Sequence, residues 1–131
     1  MIKLTDSNFI ETVKADIEAV SVKSNEPSLY DDILNGVKVK RMFVFSGCGG
    51  FFVLMPIYFY GAPYVNIMMT CSNKGKALNE MLSFAKDRAR EIEAKGFMFS
   101  TANERLERVA KRLGWTYRGK RGSVTDWLIK L

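Results

Sequence analysis

The sequence predicts an α/β protein with a mixed, twisted sheet of about six to seven strands and helices on both faces. Apolar residues recur at helical spacing near both ends of the chain, whereas residues 42–69 hold three β-branched and aromatic runs. Residues 65–100 have the pattern strand, helix, strand, and such a crossover makes its two strands parallel. With 131 residues, 47% of them hydrophobic, residues 1–131 are expected to form a single domain.

The N-terminal part is predicted to be helical after a short first strand. Asp6 or Ser7 can cap a helix that begins at about residue 8. The apolar face of this helix consists of Phe9, Ile10, Val13, Ile17 and Val20. A second helix is predicted over residues 28–34, and Gly36 would end it.

The middle of the chain changes to β-structure. Strands are predicted at 42–45, 51–59 and 64–69, because these runs are rich in β-branched and aromatic residues. Glycine-containing turns at 46–50 and 61–63 separate them. The three strands are therefore expected to form an antiparallel meander.

The C-terminal half returns to helical spacing. One helix buries a face that consists of Leu78, Met81, Leu82, Ala85, Ala89 and Ile92. Gly96 would end it before a strand at 97–100. A last helix turns inward Leu106, Val109, Ala110 and Leu113. Gly114 would end that helix, and a β-hairpin with a basic tip at 118–122 would follow. The predicted order is β-α-α-β-β-β-α-β-α-β-β.

Composition excludes several kinds of site. The chain has no histidine, which removes the commonest general base and metal ligand, and its two cysteines lack metal-binding spacing, so we expect no metal site. The N-terminus lacks an apolar signal core, and the most apolar stretch, 51–60, contains Pro56 and is too short for a membrane-spanning helix. We therefore expect a cytoplasmic protein without a membrane segment.

The loop that follows the fourth strand has the chemistry of an anion site. No acidic residue occurs between Asp32 and Glu80, whereas Lys74 and Lys76 lie in this loop. A helix that begins here leaves backbone N–H groups unpaired, and Gly75 lets the backbone approach a ligand closely. A pyrophosphate would fit such a site. The alternative is a capped helix start with solvated lysines.

This order of elements and three motifs resemble the GNAT superfamily of acyl-CoA-dependent N-acetyltransferases over nearly the whole chain. In the loop after the fourth strand, Gly75 and Ala77 match the family pattern, whereas its leading Arg or Gln is Ser72 here. Asn103 stands at the start of the next helix, as the family's Asn does. Residues 113–115, Leu-Gly-Trp, stand where the family usually has Leu-Gly-Phe.

The resemblance implies acetyl-CoA as the cofactor and an amine, free or on a protein, as the acceptor. The residues implied to hold the pyrophosphate are Ser72, Asn73, Lys74, Gly75, Lys76 and Ala77. The pantetheine arm would bond to the edge of the fourth strand up to Met69, and Asn103 would reach it from the helix start. Asn103 is equally consistent with an ordinary N-cap.

The catalytic residues are left open. The family's thiolate donor is commonly a Tyr seven residues after the helix-opening Asn, and this chain has Ala110 there. The strands within 42–69 contain no acidic residue that could act as a base. The candidate catalytic residues that remain are Tyr64 and Glu104. Secondary candidates are Tyr60, Asp31 and Asp32. Glu104 is better explained as an acidic partner of a helix dipole.

The two cysteines are weaker candidates for a nucleophile. Cys71 ends the fourth strand beside the loop, where a helix N-terminus and Lys74 would favour its thiolate. Because no histidine can activate it, a half-buried packing role is the favoured interpretation. Cys48 is interpreted as part of a hairpin turn.

Two other functions compete with an active acetyltransferase. A protein of the same fold that has lost catalysis could serve in binding or assembly, in a phage or its virion, and Ser72 and Ala110 favour this. A nucleic-acid or acidic-partner surface is suggested by the basic C-terminal residues Arg105, Arg108, Lys111, Arg112, Arg118, Lys120 and Arg121. The sheet edges of the final hairpin would also allow two copies of the protein to form a homodimer.

Overall fold

A computed structural model describes residues 2–47, 49–72, 77–101 and 104–131. The helices are Phe9–Thr12 (α1), Lys14–Ser24 (α2), Leu29–Lys38 (α3), Ala77–Glu91 (α4) and Glu104–Arg112 (α5). The strands are Lys3–Leu4 (β1), Phe43–Gly47 (β2), Gly50–Phe59 (β3), Ala62–Ser72 (β4), Gly96–Thr101 (β5), Thr116–Arg121 (β6) and Val124–Lys130 (β7).

The strands form one seven-stranded mixed sheet in the order β1-β2-β3-β4-β5-β7-β6. Strands β4 and β5 pair in parallel, and every other neighbouring pair is antiparallel. The predicted mixed sheet, meander and crossover are therefore confirmed. Helix α4 makes the crossover, so the end of β4 and the start of α4 lie at the same edge of the sheet.

Each face of the sheet carries its own hydrophobic core. One core joins α4 and α5 to the sheet, and its largest fully buried side chains are Phe52, Phe97 and Met81. The other joins α1, α2 and α3 to the opposite face, around Ile17 and Ile33. Helices thus cover both faces, as the sequence predicts.

The first predicted helix is two helices, and the break falls at Val13. The hydroxyl of Thr12 donates to the carbonyl oxygen of Phe9 over 2.7 Å, and such a side-chain bond competes with continued helix. Ile10 and Ile17 are both buried despite the break, so the predicted apolar face is kept.

Gly36 does not end the second predicted helix, because α3 continues through it to Lys38. A Cβ placed on Gly36 would lie 2.5 Å from Cγ of Met42. Glycine is therefore used here for close packing inside a helix, which the local sequence does not reveal.

Gly96 likewise does not end a helix; it is the first residue of β5. Helix α4 ends at Glu91 instead, and Glu93 takes a left-handed conformation with φ 57° just beyond it. A Cβ on Gly96 would collide with the carbonyl oxygen of Ile129, which explains the glycine. Ile92 lies outside the helix and is exposed, contrary to the prediction.

The C-terminal elements differ from expectation in two details. Leu113 lies beyond α5 and is exposed, because the helix ends at Arg112 and Gly114 turns the chain with φ 74°. The hairpin turn is formed by Gly122 and Ser123, so the basic residues predicted for its tip lie along β6.

Candidate functional site

The central feature of the site is a cleft between β4 and β5. The two strands pair only from Val65 with Phe97 to Ile67 with Phe99. Beyond Ile67, β4 continues to Ser72, and none of its described residues pairs with β5. The strands therefore separate towards their carboxyl ends, and the β4 edge keeps main-chain groups for a ligand. In open α/β sheets, ligands commonly bind outside the carboxyl ends of the strands.

A β-bulge in β4 explains the separation. Val53 of β3 lies opposite Met69, but the next residue, Leu54, lies opposite Ile67. Met68 is the extra residue, and a bulge of this kind bends its strand and increases its twist. Because the bulge falls where the β4–β5 pairing ends, it turns β4 away from β5.

Met69 contributes to the cleft through its backbone. Its side chain is buried in the core beneath α1, α2 and α3. The edge predicted to receive a pantetheine arm is therefore made of main-chain N–H and C=O groups, which can pair with amides of an extended ligand as another strand would.

Several residues of the predicted loop lie outside the described part of the chain. These are Asn73, Lys74, Gly75 and Lys76, together with Asn103. Ser72 is the last residue of β4, and Ala77 is the first described residue of α4. The last residue of β4 and the first described residue of α4 therefore flank the predicted loop.

The candidate catalytic residues are not brought together. Tyr64 lies on β4 opposite Ile57, on the side of Val65 away from the bulge, and Met68 is about 13 Å further along the strand. Tyr60 occupies the β3–β4 turn and is exposed. Glu104 is exposed in the first turn of α5, which agrees with a helix-dipole partner.

Asp31 and Asp32 do not line the cleft either. Both occupy the first turn of α3 and are exposed. Asp32 accepts a hydrogen bond of 3.0 Å from the hydroxyl of Ser28, the residue that precedes the helix. Acidic residues at this place are explained by the helix dipole.

Ala110 is buried in the core between α5 and the sheet. The site therefore has a methyl group at the position where the resemblance expects a tyrosine hydroxyl. Its neighbour in that core, Trp127, donates its indole N–H to the hydroxyl oxygen of Thr125 over 2.9 Å. Thr125 in turn lies 3.1 Å from Oε1 of Glu107, which ties α5 to β7.

Cys71 packs against the core beneath α1, α2 and α3 and is half-buried. Burial raises the pKa of its thiol, and the charge of Asp16 raises it further. A nucleophilic cysteine needs the opposite shift, so both its contacts with this core and its pKa favour the packing interpretation. Cys48 lies outside the described residues.

A polar cluster that the sequence did not reveal joins three strands beside the cleft. The Ser100 hydroxyl of β5 donates to Oδ1 of Asp126 on β7 over 2.5 Å. Arg121 of β6 donates to the same carboxylate from Nη2 at 2.9 Å and from Nε at 3.1 Å. The one sequence signal is an acidic residue amid an apolar strand, Val-Thr-Asp-Trp-Leu-Ile.

The cluster has a defined charge state. The Arg121 hydrogen bond lowers the pKa of Asp126, the Ser100 hydrogen bond and the Arg121 charge lower it further, and partial burial opposes them. The hydrogen bond and charge of Asp126 raise the pKa of Arg121, and the charge of Glu26 adds to this. Asp126 is therefore a carboxylate at neutral pH, and Arg121 is less available to nucleic acid than an unpaired arginine.

The described residues contain no group of three or more His, Cys, Asp or Glu side chains that could bind a metal ion. No helix in the same ranges combines the length and the apolar character needed to cross a membrane.

The architecture is that of the GNAT acetyltransferases. A GNAT-family acetyltransferase from Listeria monocytogenes matches 100% of this chain and 94% of its own, with TM-score 0.71 and 10% identity. The polyamine N-acetyltransferase of Drosophila melanogaster, which forms N-acetylagmatine, matches 100% of this chain and 99% of its own, with TM-score 0.72 and 12% identity.

A third similar structure is the AtaT toxin bound to the C-terminus of the antitoxin AtaR. It matches 99% of this chain and 92% of its own, with TM-score 0.65 and 11% identity. No family model and no curated protein matches the sequence. The likeness is therefore one of fold, and the chain has the GNAT fold.

Proposed function

We propose that the protein is an acyl-CoA-dependent N-acetyltransferase that acts on a primary amine by direct attack. The observation that carries this proposal is the separation of β4 from β5 at the Met68 bulge. It leaves an unpaired strand edge that points towards the start of a helix. An acyl-CoA needs both features, a strand-like partner for its amides and an anion site for its pyrophosphate.

Such a ligand would contact the protein in two places. The main chain from Met68 to Ser72 would bond to the pantetheine amides. The N-terminal turn of α4 would hold the pyrophosphate, with Lys74 and Lys76 as cations and Gly75 giving room for close approach. Asn103 would reach the arm from the start of α5.

The reaction needs little covalent help from the protein. The amine nitrogen forms a bond to the thioester carbon, the carbon–sulfur bond breaks, and the sulfur takes up a proton as the nitrogen loses one. The products are an N-acetylamine and free coenzyme A. Because Ala110 offers no proton donor, we infer that solvent supplies the proton to the departing sulfur.

Calorimetric titration with acetyl-CoA tests the proposal. We expect micromolar binding by the unaltered protein. The double variant Lys74→Glu/Lys76→Glu should weaken it at least about tenfold, because two phosphate contacts become repulsive. A matched control, Lys111→Glu/Lys120→Glu, makes the same charge change at two exposed positions away from the loop.

The outcomes are distinct. Equal weakening by the control pair would mean that only net charge matters, and no binding at millimolar acetyl-CoA would contradict the proposal. Transfer is then measured as release of free thiol with a panel of primary amines. Agmatine is included because one structural neighbour forms N-acetylagmatine.

A second candidate is a binding protein that has lost catalysis, and the buried Ala110 favours it. The AtaT toxin, which was solved bound to a segment of its antitoxin, suggests a protein partner for such a role. Binding of acetyl-CoA without transfer to any amine of the panel would favour this candidate over an active enzyme.

A further inference from the structure

The cluster of Ser100, Asp126 and Arg121 lies beside the cleft on a defined face of the sheet. Phe97 and Phe99 of β5 are buried under α4 and α5. Because side chains alternate along a strand, Ser100 points to the opposite face, as its hydrogen bond to Asp126 requires. Ser100 directly follows the last β5 residue that pairs with β4, so it stands where the cleft opens.

This part of the sheet contributes no described residue to the core beneath the N-terminal helices. The core beneath α1, α2 and α3 takes its described sheet residues from β2, β3 and β4. Ser100 and Asp126 are each only half-buried.

The hydrogen bonds fix which atom carries the proton between Ser100 and Asp126. Asp126 is ionised at neutral pH, chiefly because Arg121 donates to it, so it can only accept hydrogen bonds. The single hydroxyl proton of Ser100 therefore points at Oδ1 of Asp126, 2.5 Å away. Nη2 of Arg121 also donates to the oxygen of Ser100 over 3.5 Å, so this oxygen has one remaining lone pair, and no proton, to offer a ligand in the cleft.

Building on the proposed function, we propose that Ser100 accepts a hydrogen bond from the attacking amine and orients its nitrogen towards the thioester. Asp126 and Arg121 are positioning residues in this account, because they hold the Ser100 proton away from the cleft. A primary amine fits the site, since it retains N–H donors when its lone pair attacks. A carboxylate or another group that only accepts hydrogen bonds would be repelled by the Ser100 oxygen, and its binding would be disfavoured.

Arg121 explains why the carboxylate does not bind the amine itself. Nη2 and Nε of Arg121 contact both oxygens of Asp126. The paired carboxylate has little remaining charge to immobilise an ammonium ion, which would be unable to attack while protonated. A neutral serine oxygen instead binds the amine without holding it in its protonated form.

Steady-state kinetics of two substitutions at one position test this assignment. Ser100→Ala removes the acceptor oxygen, and Ser100→Thr keeps it on a residue suited to a strand. With the amine that the unaltered protein acetylates fastest, Ser100→Ala should raise KM for the amine about tenfold or more. Its dissociation constant for acetyl-CoA should stay within about twofold, and Ser100→Thr should recover most of the affinity for the amine.

The control is Ser83→Ala, at an exposed serine of α4, which should leave both constants unchanged. An unchanged KM for the amine in Ser100→Ala, or failure of Ser100→Thr to recover it, would overturn the assignment while acetyl-CoA binding still supported the proposed function. Failure of the unaltered protein to bind acetyl-CoA would overturn the proposed function and this assignment together. Binding without transfer to any amine would overturn this assignment and would favour the binding protein without catalysis over the proposed enzyme.

Discussion

The two faces of strands β5 and β7 differ in their polar content, although Leu128, on the same face as Asp126, is also buried. Towards α4 and α5, the strands present Phe97, Phe99, Trp127 and Ile129, all buried. On the other face, one position along each strand, lie Ser100 and its hydrogen-bond partner. Apolar burial on one face thus supplies rigidity, so that a hydrogen-bonded cluster can be held beside the cleft on the other.

Two substitutions on the same strand should separate these roles most strongly. Phe97→Ala should lower the free energy of unfolding by about 3–5 kcal/mol, because it leaves a cavity at a fully buried ring. Ser100→Ala should lower it by about 1 kcal/mol, since it removes one half-buried hydrogen bond. Urea unfolding followed by circular dichroism measures both. Equal losses of unfolding free energy in the two variants would contradict the expectation that the face towards α4 and α5 contributes most of the stability.

Low pH should weaken the stabilising effect of the Ser100–Asp126–Arg121 cluster. The folded pKa of Asp126 is lowered, so its contribution to stability is present above its unfolded pKa of about 3.9 and is lost as pH falls through the lower folded pKa. We expect Asp126→Asn to cost about 1–2 kcal/mol at pH 7 and markedly less near pH 2. Urea unfolding at the two pH values checks this. A cost that does not change with pH would mean that the charge of Asp126 is irrelevant.

The smallest effect concerns Cys71, which lies where the N-terminal helices do cover the sheet. Burial raises its pKa, so less thiolate is present at any pH below that value. In a Cys48→Ser background, alkylation by iodoacetamide at pH 8 should be a few-fold slower than that of free cysteine and should increase with pH. Alkylation faster than that of free cysteine would revive the nucleophile interpretation.

Local pattern predicted much of this architecture. The change from alternating to helical spacing after residue 69 placed the crossover, and with it the parallel β4–β5 pair. The meander followed from three apolar runs between glycine turns. These features depend on neighbours in sequence, which periodicity reports directly.

Local sequence patterns did not predict the role of residues whose contacts are distant in the sequence. Gly36 and Gly96 looked like helix stops, yet the first makes room for Met42 and the second for the backbone of Ile129. Ser100 and Asp126 become neighbours only through the β5–β7 register. No local pattern encodes such contacts, because they are set by which strands pair and in what register.

The acetyltransferase proposal depends on acyl-CoA binding at the separated edge of β4. Amide chemical shifts of the ¹⁵N-labelled protein, measured during titration with acetyl-CoA, report that binding residue by residue. We expect the largest shifts at Met68 to Ser72 and in the first turn of α4, with little change in β1 and β2. Absence of shifts at millimolar acetyl-CoA, or shifts centred on β1 and β2, would contradict it.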